Sequence, residues 1–217
     1  QAEMLFAMGR SHVGLGQYAK ADSLLHRALD LYRRTSGLQS AEAGNVSYTL
    51  GNLRRIERRY EEAERLYQTA LQILRTQSPG RSSDRARTLL NLGEAQRGLG
   101  RLEEAETSVR EAITLLRKNE PANSPNLLTA QATLAYVLRA REKYDKAAFL
   151  YRSVLEKHRE LYPPNHPSLS PLLNNLAYLR RTRGDYAAAE PLYREALLID
   201  RAVYGADHPY TLMLLSN

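Results

Sequence analysis

Cysteine is absent from the 217 residues, so disulfides, thiolate zinc sites and cysteine nucleophiles are excluded together. No apolar run approaches the roughly eighteen residues that a membrane-crossing helix needs. The N-terminus lacks a basic segment followed by an apolar stretch and small residues, so no secretory leader is expected. The first residue is Gln1 rather than Met, which reads as a segment of something longer. These absences lead us to expect a cytoplasmic protein with no membrane partner. Signatures of chemistry are also missing: no GxxxxGK[ST], GxSxG, HExxH or EF-hand loop occurs. The five histidines lack ligand spacing. The acidic pairs Glu61–Glu62 and Glu103–Glu104 open helices, where carboxylates favour the N-terminal dipole end. We therefore expect neither an enzyme nor a metal, a cofactor or a small-molecule substrate.

Lysine is scarce, with 5 Lys against 26 Arg at a net charge of +7. Such a balance points to an acidic partner, to nucleic acid, or to nothing beyond compositional bias or adaptation to heat. Position has to decide between them. At 43% hydrophobic residues the chain is too apolar for a disordered tail. Strand-like alternation is absent throughout, and what is present is a repeat of 42 residues.

The segment GDYAAAEPLYREALLI (184–199) is preceded, at intervals of 42, by EKYDKAAFLYRSVLEK, GRLEEAETSVREAITL, RRYEEAERLYQTALQI and GQYAKADSLLHRALDL. Ala21, Ala63, Ala105, Ala147 and Ala189 form one invariant column. With Ala at about one residue in ten, chance agreement is about one in 100,000. A second small column reads Ala28, Ala70, Ala112, Val154, Ala196. A large one reads Tyr18, Tyr60, Leu102, Tyr144, Tyr186 and is expected to supply knobs filling the gaps the alanines leave. Upstream, Met8, Leu50, Leu92, Leu134 and Leu176 each precede Gly or Ala, with apolar residues recurring at three and four, the period of a helix.

Each unit is thus helix A, a turn, then helix B. Gly16, Gly100 and Gly184 fall where helix A ends, matching the left-handed cap that glycine adopts cheaply. Arg58 and Glu142 hold that column in the other two units, so those turns are expected to close differently. Pro125, Pro167 and Pro209 mark each new helix A, with His166 and His208 as link punctuation. The link SPGRSSD (78–84) has no proline at that column and is expected to be the loosest. Repeat boundaries fall near 1–40, 41–82, 83–124, 125–166 and 167–208, forming a single array over 1–217. A partial sixth helix (209–217) is expected to cover the apolar end of the stack.

Leu176–Ala177 in helix A and Ala189–Tyr193–Ala196 in helix B, with their equivalents in every unit, resemble the tetratricopeptide repeat. The 42-residue period, with LNNLAYL, GDYAAAEPLYREAL and a DHP link, is similar to the repeats of kinesin light chains and to arrays in bacterial multidomain signalling proteins. The resemblance implies an all-α solenoid of five helix-turn-helix units plus a partial sixth helix, wound as a right-handed superhelix. Its concave wall would be made of A helices and would commonly hold a peptide.

Helix A positions not used for packing should line that hollow. One reads Val13, Arg55, Arg97, Arg139, Arg181, a ladder that suits carboxylate or phosphate through bidentate bonds. Arg59, Arg101, Lys143, Arg10 and Arg180 lie on adjacent turns. The alternative is that these arginines face solvent or pair with Glu62, Glu104 and their neighbours on helix B. Asn52, Asn91, Asn174, Asn175 and Asn217 offer amides able to hold a peptide backbone. By resemblance Asn52 and Asn91 match the asparagines of the carboxylate-clamp subfamily. The clamp's basic partners would fall at Tyr48, Thr129 and Thr133, none of them basic, so an internal extended peptide is expected instead. Tyr48, Tyr136 and Tyr178 either stack on a ligand side chain or pack on the neighbouring A helix.

The functional expectation is a non-catalytic scaffold that binds an extended acidic peptide. One alternative is a helical-repeat nucleic-acid binder, not favoured because no varying two-residue code per repeat is visible. Binding of single-stranded RNA that survives physiological salt would favour it. A further alternative is a regulatory or self-associating arm of a larger signalling protein.

Overall fold

Glycine and proline punctuate the 42-residue pattern, and the helices of the computed structural model, which describes residues 1–37, 39–77 and 80–215, fall between them. Helix A of successive units is α1 (Ala2–Gly14), α3 (Ala41–Ile56), α5 (Ser82–Gly98), α7 (Pro125–Ala140) and α9 (Leu169–Thr182). Helix B is α2 (Tyr18–Thr35), α4 (Tyr60–Gln77), α6 (Leu102–Asn119), α8 (Tyr144–Leu161) and α10 (Tyr186–Tyr204). The partial sixth unit supplies α11 (Pro209–Leu215). No strand occurs among the described residues. The helices gather into two compact units, Gln1–Asn119 with α1–α6 and Glu120–Asn217 with α7–α11. Within each, every helix packs on the next in sequence, and neighbouring A helices (α1 with α3, α3 with α5, α7 with α9) also touch.

Close packing explains the invariant alanines. Ala21, Ala63, Ala105 and Ala147 are fully buried and Ala189 nearly so. Ala105→Leu is expected to cost about 1–3 kcal/mol by overpacking, read as a lowered urea midpoint with unchanged helical content. The tyrosine knobs, however, come from a different column than the sequence pattern suggested. Tyr18 and Tyr186 are exposed, whereas Tyr67 and Tyr151 are buried. Their column (Leu25, Tyr67, Val109, Tyr151, Tyr193) meets the small residues of helix A. A Cβ added at Gly51 would stand 2.7 Å from the Tyr67 ring, and one at Gly93 would stand 2.7 Å from Val109. Tyr60 packs instead on Gly98, on helix A of the following unit.

The turns expected to differ close alike. Arg58 (φ 60°) and Glu142 (φ 59°) adopt the same left-handed conformation as Gly16, Gly100 and Gly184. The residue after each bonds back to helix A in the same way: Arg59 N–H to Arg54 O at 2.8 Å and Lys143 N–H to Leu138 O at 2.9 Å, as Arg101 N–H does to Gln96 O at 2.9 Å. Two hydrogen bonds and the start of helix B thus hold a side chain in a conformation that costs about 1–2 kcal/mol.

Links between units are set by local caps. Pro125 opens α7 behind the Ser124 cap, whose Oγ accepts from Leu127 N–H. Pro209 opens α11, but Pro167 stands two residues ahead of α9, in a turn bonded from Leu169 N–H to His166 O. Ser78 and Pro79 of the SPGRSSD link lie outside the described residues. Thr211 and Leu214 of α11 are buried while Leu212, Met213 and Leu215 are exposed, so α11 covers the end of its unit only in part.

Buried polar groups are matched between helices. Arg54, 6% exposed, reaches Asp22 of α2 at 2.5 Å, Glu57 at 2.9 Å and Glu62 of α4 at 3.2 Å. Forty-two residues on, the buried Gln96 donates to Glu64 at 3.4 Å and accepts from Ser108 at 2.8 Å. At the α8–α9 link, the buried His158 shares Ser168 Oγ (3.0 Å) with His166 (2.7 Å), and the Tyr162 ring lies against both imidazoles.

Burial, aided by His166, lowers the His158 pKa from its ordinary 6.5. The unfolded chain therefore takes up a proton before the folded one does. Stability is complete above about pH 6.5 and declines as pH falls through the lower folded value. The melting temperature is expected to drop between about pH 7 and pH 5, and the drop to flatten in His158→Asn, whose amide still reaches Ser168.

Candidate functional site

Residues of α1 and α3, with Arg81 and Arg87 at the start of α5, line a cavity of 370 Å3 in the first unit. Phe6, Arg10, Tyr48 and Asn52 are among its walls. The Arg10 guanidinium lies over the Phe6 ring at 5.7 Å and that of Arg87 over Tyr48 at 5.2 Å, each offsetting charge against a π face.

At the floor of this region the predicted asparagines meet. Asn52 Oδ1 accepts from Tyr67 Oη (2.8 Å) and from Asn91 Nδ2 (2.8 Å), and Asn91 Nδ2 also donates to Tyr48 Oη (3.1 Å). The Asn52 oxygen and the Asn91 nitrogen are thereby spent. Asn52 Nδ2 and Asn91 Oδ1, a donor and an acceptor on neighbouring A helices, carry no hydrogen bond to a described residue. Arg55 joins the same cluster. Its Nη1 stands 2.8 Å from Glu94 of α5, and it bonds to Tyr67. Burial works against the Arg55 charge, but Glu94 and Tyr67 hold its pKa above the ordinary value. The Tyr67 hydroxyl is pushed up by burial.

The second unit has a different chemistry in the same columns. Glu94 is followed at 42-residue steps by Tyr136 and Tyr178. The Arg139 guanidinium lies over both of those rings at 4.7 Å, and Arg181 lies over Tyr178 at 5.6 Å. Arg139 has no carboxylate partner among the described residues. The Tyr193 hydroxyl beneath them is enclosed without a hydrogen-bond partner among the described residues. Burial raises its pKa, while the Arg181 and Arg139 charges act the other way.

The predicted residues therefore form two groups, Asn52–Arg55–Asn91 and Tyr136–Arg139–Tyr178–Arg181. Arg97 is half-buried on α5. Asn175 turns onto its own helix, donating to Pro171 O at 2.8 Å. Asn174 lines a separate cavity with Ser170, Asp200 and Tyr204. Asn217 lies outside the described residues. Arg59 and Arg101 reach helix-B carboxylates, Glu62 at 2.7 Å and Glu64 at 2.8 Å, and Arg180 pairs with Asp185 at 3.2 Å. Glu94, Tyr67 and Tyr193 were missed from sequence. Glu94 occupies the Asn52 column, and that shared column was the available signal.

Among the described residues no group of three His, Asp or Glu side chains is placed to hold a metal ion, and no described helix is long and apolar enough to cross a membrane. No protein of curated description matches the chain. Among solved structures, a Podosopora anserina kinesin light chain with nearly identical TPR-like repeats is 19% identical with a TM-score of 0.76, over 92% of this chain and 94% of that one. Apo RapI is 14% identical with a TM-score of 0.82, over 100% of this chain and 81% of that one. The Rap conjugation gene regulator of plasmid pLS20, in complex with the Phr* peptide, is 16% identical with a TM-score of 0.75, over 97% of this chain and 55% of that one. The tetratricopeptide repeat family model matches residues 1–76, 42–118, 84–160 and 168–217, and with paired helices repeating every 42 residues the chain belongs to the tetratricopeptide repeat family.

Proposed function

We propose that the chain is a protein-interaction scaffold that binds an extended peptide carrying acidic side chains along the exposed face of its A helices. The observation that carries this reading is Arg139, held between tyrosine rings with no carboxylate partner among the described residues. A guanidinium whose faces rest on rings presents its N–H edge, the edge that bonds a carboxylate in bidentate fashion. The unspent Asn52 amine and Asn91 carbonyl support the same reading, because together they complement the C=O and N–H of a peptide backbone of any sequence. Family membership and the fold shared with a peptide-bound Rap regulator agree with a peptide ligand.

A peptide-library pull-down with the full chain, repeated with Arg97→Glu and Arg139→Glu together, tests the reading. Acidic peptides are expected to be enriched by the native chain and lost by the double variant. Unchanged capture by that variant would remove the acidic-peptide reading.

A further inference from the structure

Two buried polar side chains of the second unit stand where other units bury apolar ones. Asp200, near the end of α10, follows Leu74, Leu116 and His158 at 42-residue steps, and Ser170, at the start of α9, follows Gly44, Ala86 and Leu128. Both Asp200 and Ser170 are only 4% exposed. His158 answers its burial by bonding to Ser168 Oγ at 3.0 Å. The Asp200 carboxylate and the Ser170 hydroxyl have no hydrogen-bond or ion-pair partner among the described residues. Instead both line one cavity of 360 Å3, whose walls also include Pro171, Met213 and Leu214. A carboxylate taken out of water without a counter-charge is among the costliest groups a fold can carry. The buried Leu74 and Leu116 show that the repeat does not need one in this column. An apolar cavity with a few convergent polar groups is the usual form of a ligand site.

We propose that this cavity between α9, α10 and α11 is a second binding site, which takes the lysine side chain of a protein partner. The aliphatic stem lies along Pro171, Met213 and Leu214, and the ammonium meets Asp200 and the Ser170 hydroxyl. An ammonium suits acceptors that come from two different helices, because its three donors diverge, whereas a guanidinium presents a flat two-pronged edge. The site is opposite in charge to the arginines of the A-helix face. It does not depend on the acidic-peptide reading, so each can fail without the other.

The chain has 3 Met, of which Met4 and Met8 lie on α1 and Met213 lines this cavity. Carbon-13 labelling of the methionine methyls in the full chain gives one NMR signal that reports on the cavity and two internal controls. Probes are n-butylamine, its neutral counterpart n-butanol, and a ten-residue Thr/Ala peptide carrying one Lys or, in its place, norleucine. n-Butylamine and the Lys peptide are expected to shift the Met213 signal saturably and leave Met4 and Met8 in place. n-Butanol and the norleucine peptide should bind about tenfold more weakly or worse, the loss of a charge-assisted hydrogen bond. Ser170→Ala should weaken the amine, and Asp200→Asn and Asp200→Leu should abolish its advantage over the alcohol. Asp200→Leu should also leave the melting temperature unchanged or raised, because it replaces a lone buried charge with the residue of Leu74 and Leu116. Asp200→Asn, of the same shape, carries the test if leucine does not fit.

Equal shifts with n-butylamine and n-butanol, or none with either, overturn the inference and leave an apolar cavity. A lowered melting temperature in both Asp200 variants also overturns it, since the carboxylate would then serve the fold, at the positive end of α9. Binding of n-butylamine without the Lys peptide overturns the protein partner and makes the site one for a free amine.

Discussion

Tyr67→Ala is expected to lower the unfolding free energy by about 3–5 kcal/mol, the range for removing a fully enclosed aromatic side chain. The ring is 0% exposed, lies against Gly51 and carries a hydroxyl bonded to Asn52 at 2.8 Å. Truncation opens a cavity between α3 and α4 and leaves Asn52 and Arg55 short of a partner. Urea denaturation followed by far-UV circular dichroism measures the loss. Two further variants separate its causes. Tyr67→Phe keeps the ring and is expected to cost about 1 kcal/mol for the hydrogen bond alone. Gly51→Val, which drives a side chain into the ring, should cost about 1–3 kcal/mol in the native chain and become neutral or stabilising beside Tyr67→Ala. Equal cost in both backgrounds would show that the ring–glycine contact is not what makes Tyr67 matter.

Leu173→Ala carries the second large effect, about 2–5 kcal/mol, and concerns the other unit. Leu173 is 0% exposed in the middle of α9, which packs on both α8 and α10. Stability in a repeat array is close to a sum of unit terms and nearest-neighbour interfaces, and this side chain sits in a helix shared by two such interfaces. The same denaturation experiment reads it. A loss below about 1 kcal/mol would mean that α9 closes around the smaller side chain, and would place the main support of this unit elsewhere.

What could be read from the residues follows from how contacts repeat. The alanine column was legible because a methyl-sized gap between helices recurs at the same place in every unit, so its spacing alone reveals it. The tyrosine knobs were misplaced because helix B carries two large columns seven residues apart, and two helical turns put both on nearly one face. Only the rotation of helix B against Gly51 and Gly93 decides that Tyr67, not Tyr60, is enclosed there. Arg58 and Glu142 were expected to break the turn pattern because left-handed backbone disfavours side chains, but the backbone bonds on either side outweigh a penalty of about 1–2 kcal/mol.

At the candidate site the phase of the arginines was readable and their partners were not. Arg55 meets Glu94, and Arg139 meets Tyr178, each 39 residues onward. Such a contact joins one A helix to the next and depends on how far consecutive hairpins advance. Acids were sought on helix B of the same unit, where Arg59 finds Glu62, whereas Arg101 finds Glu64 of the preceding helix B.

The apolar seam makes the 42-residue modules near-equivalents, but the polar crossings do not. Arg54 reaches back to Asp22, whereas Gln96, one module later, reaches back to Glu64. A recombination event excising the module between them would preserve every alanine contact and set an amide against a carboxylate that had been held by a guanidinium. Such a gene is free to gain or shed copies as far as its hydrophobic seam is concerned, but each edit must be re-matched at one buried crossing. The order of the modules, and not only their number, is therefore information the lineage has to keep.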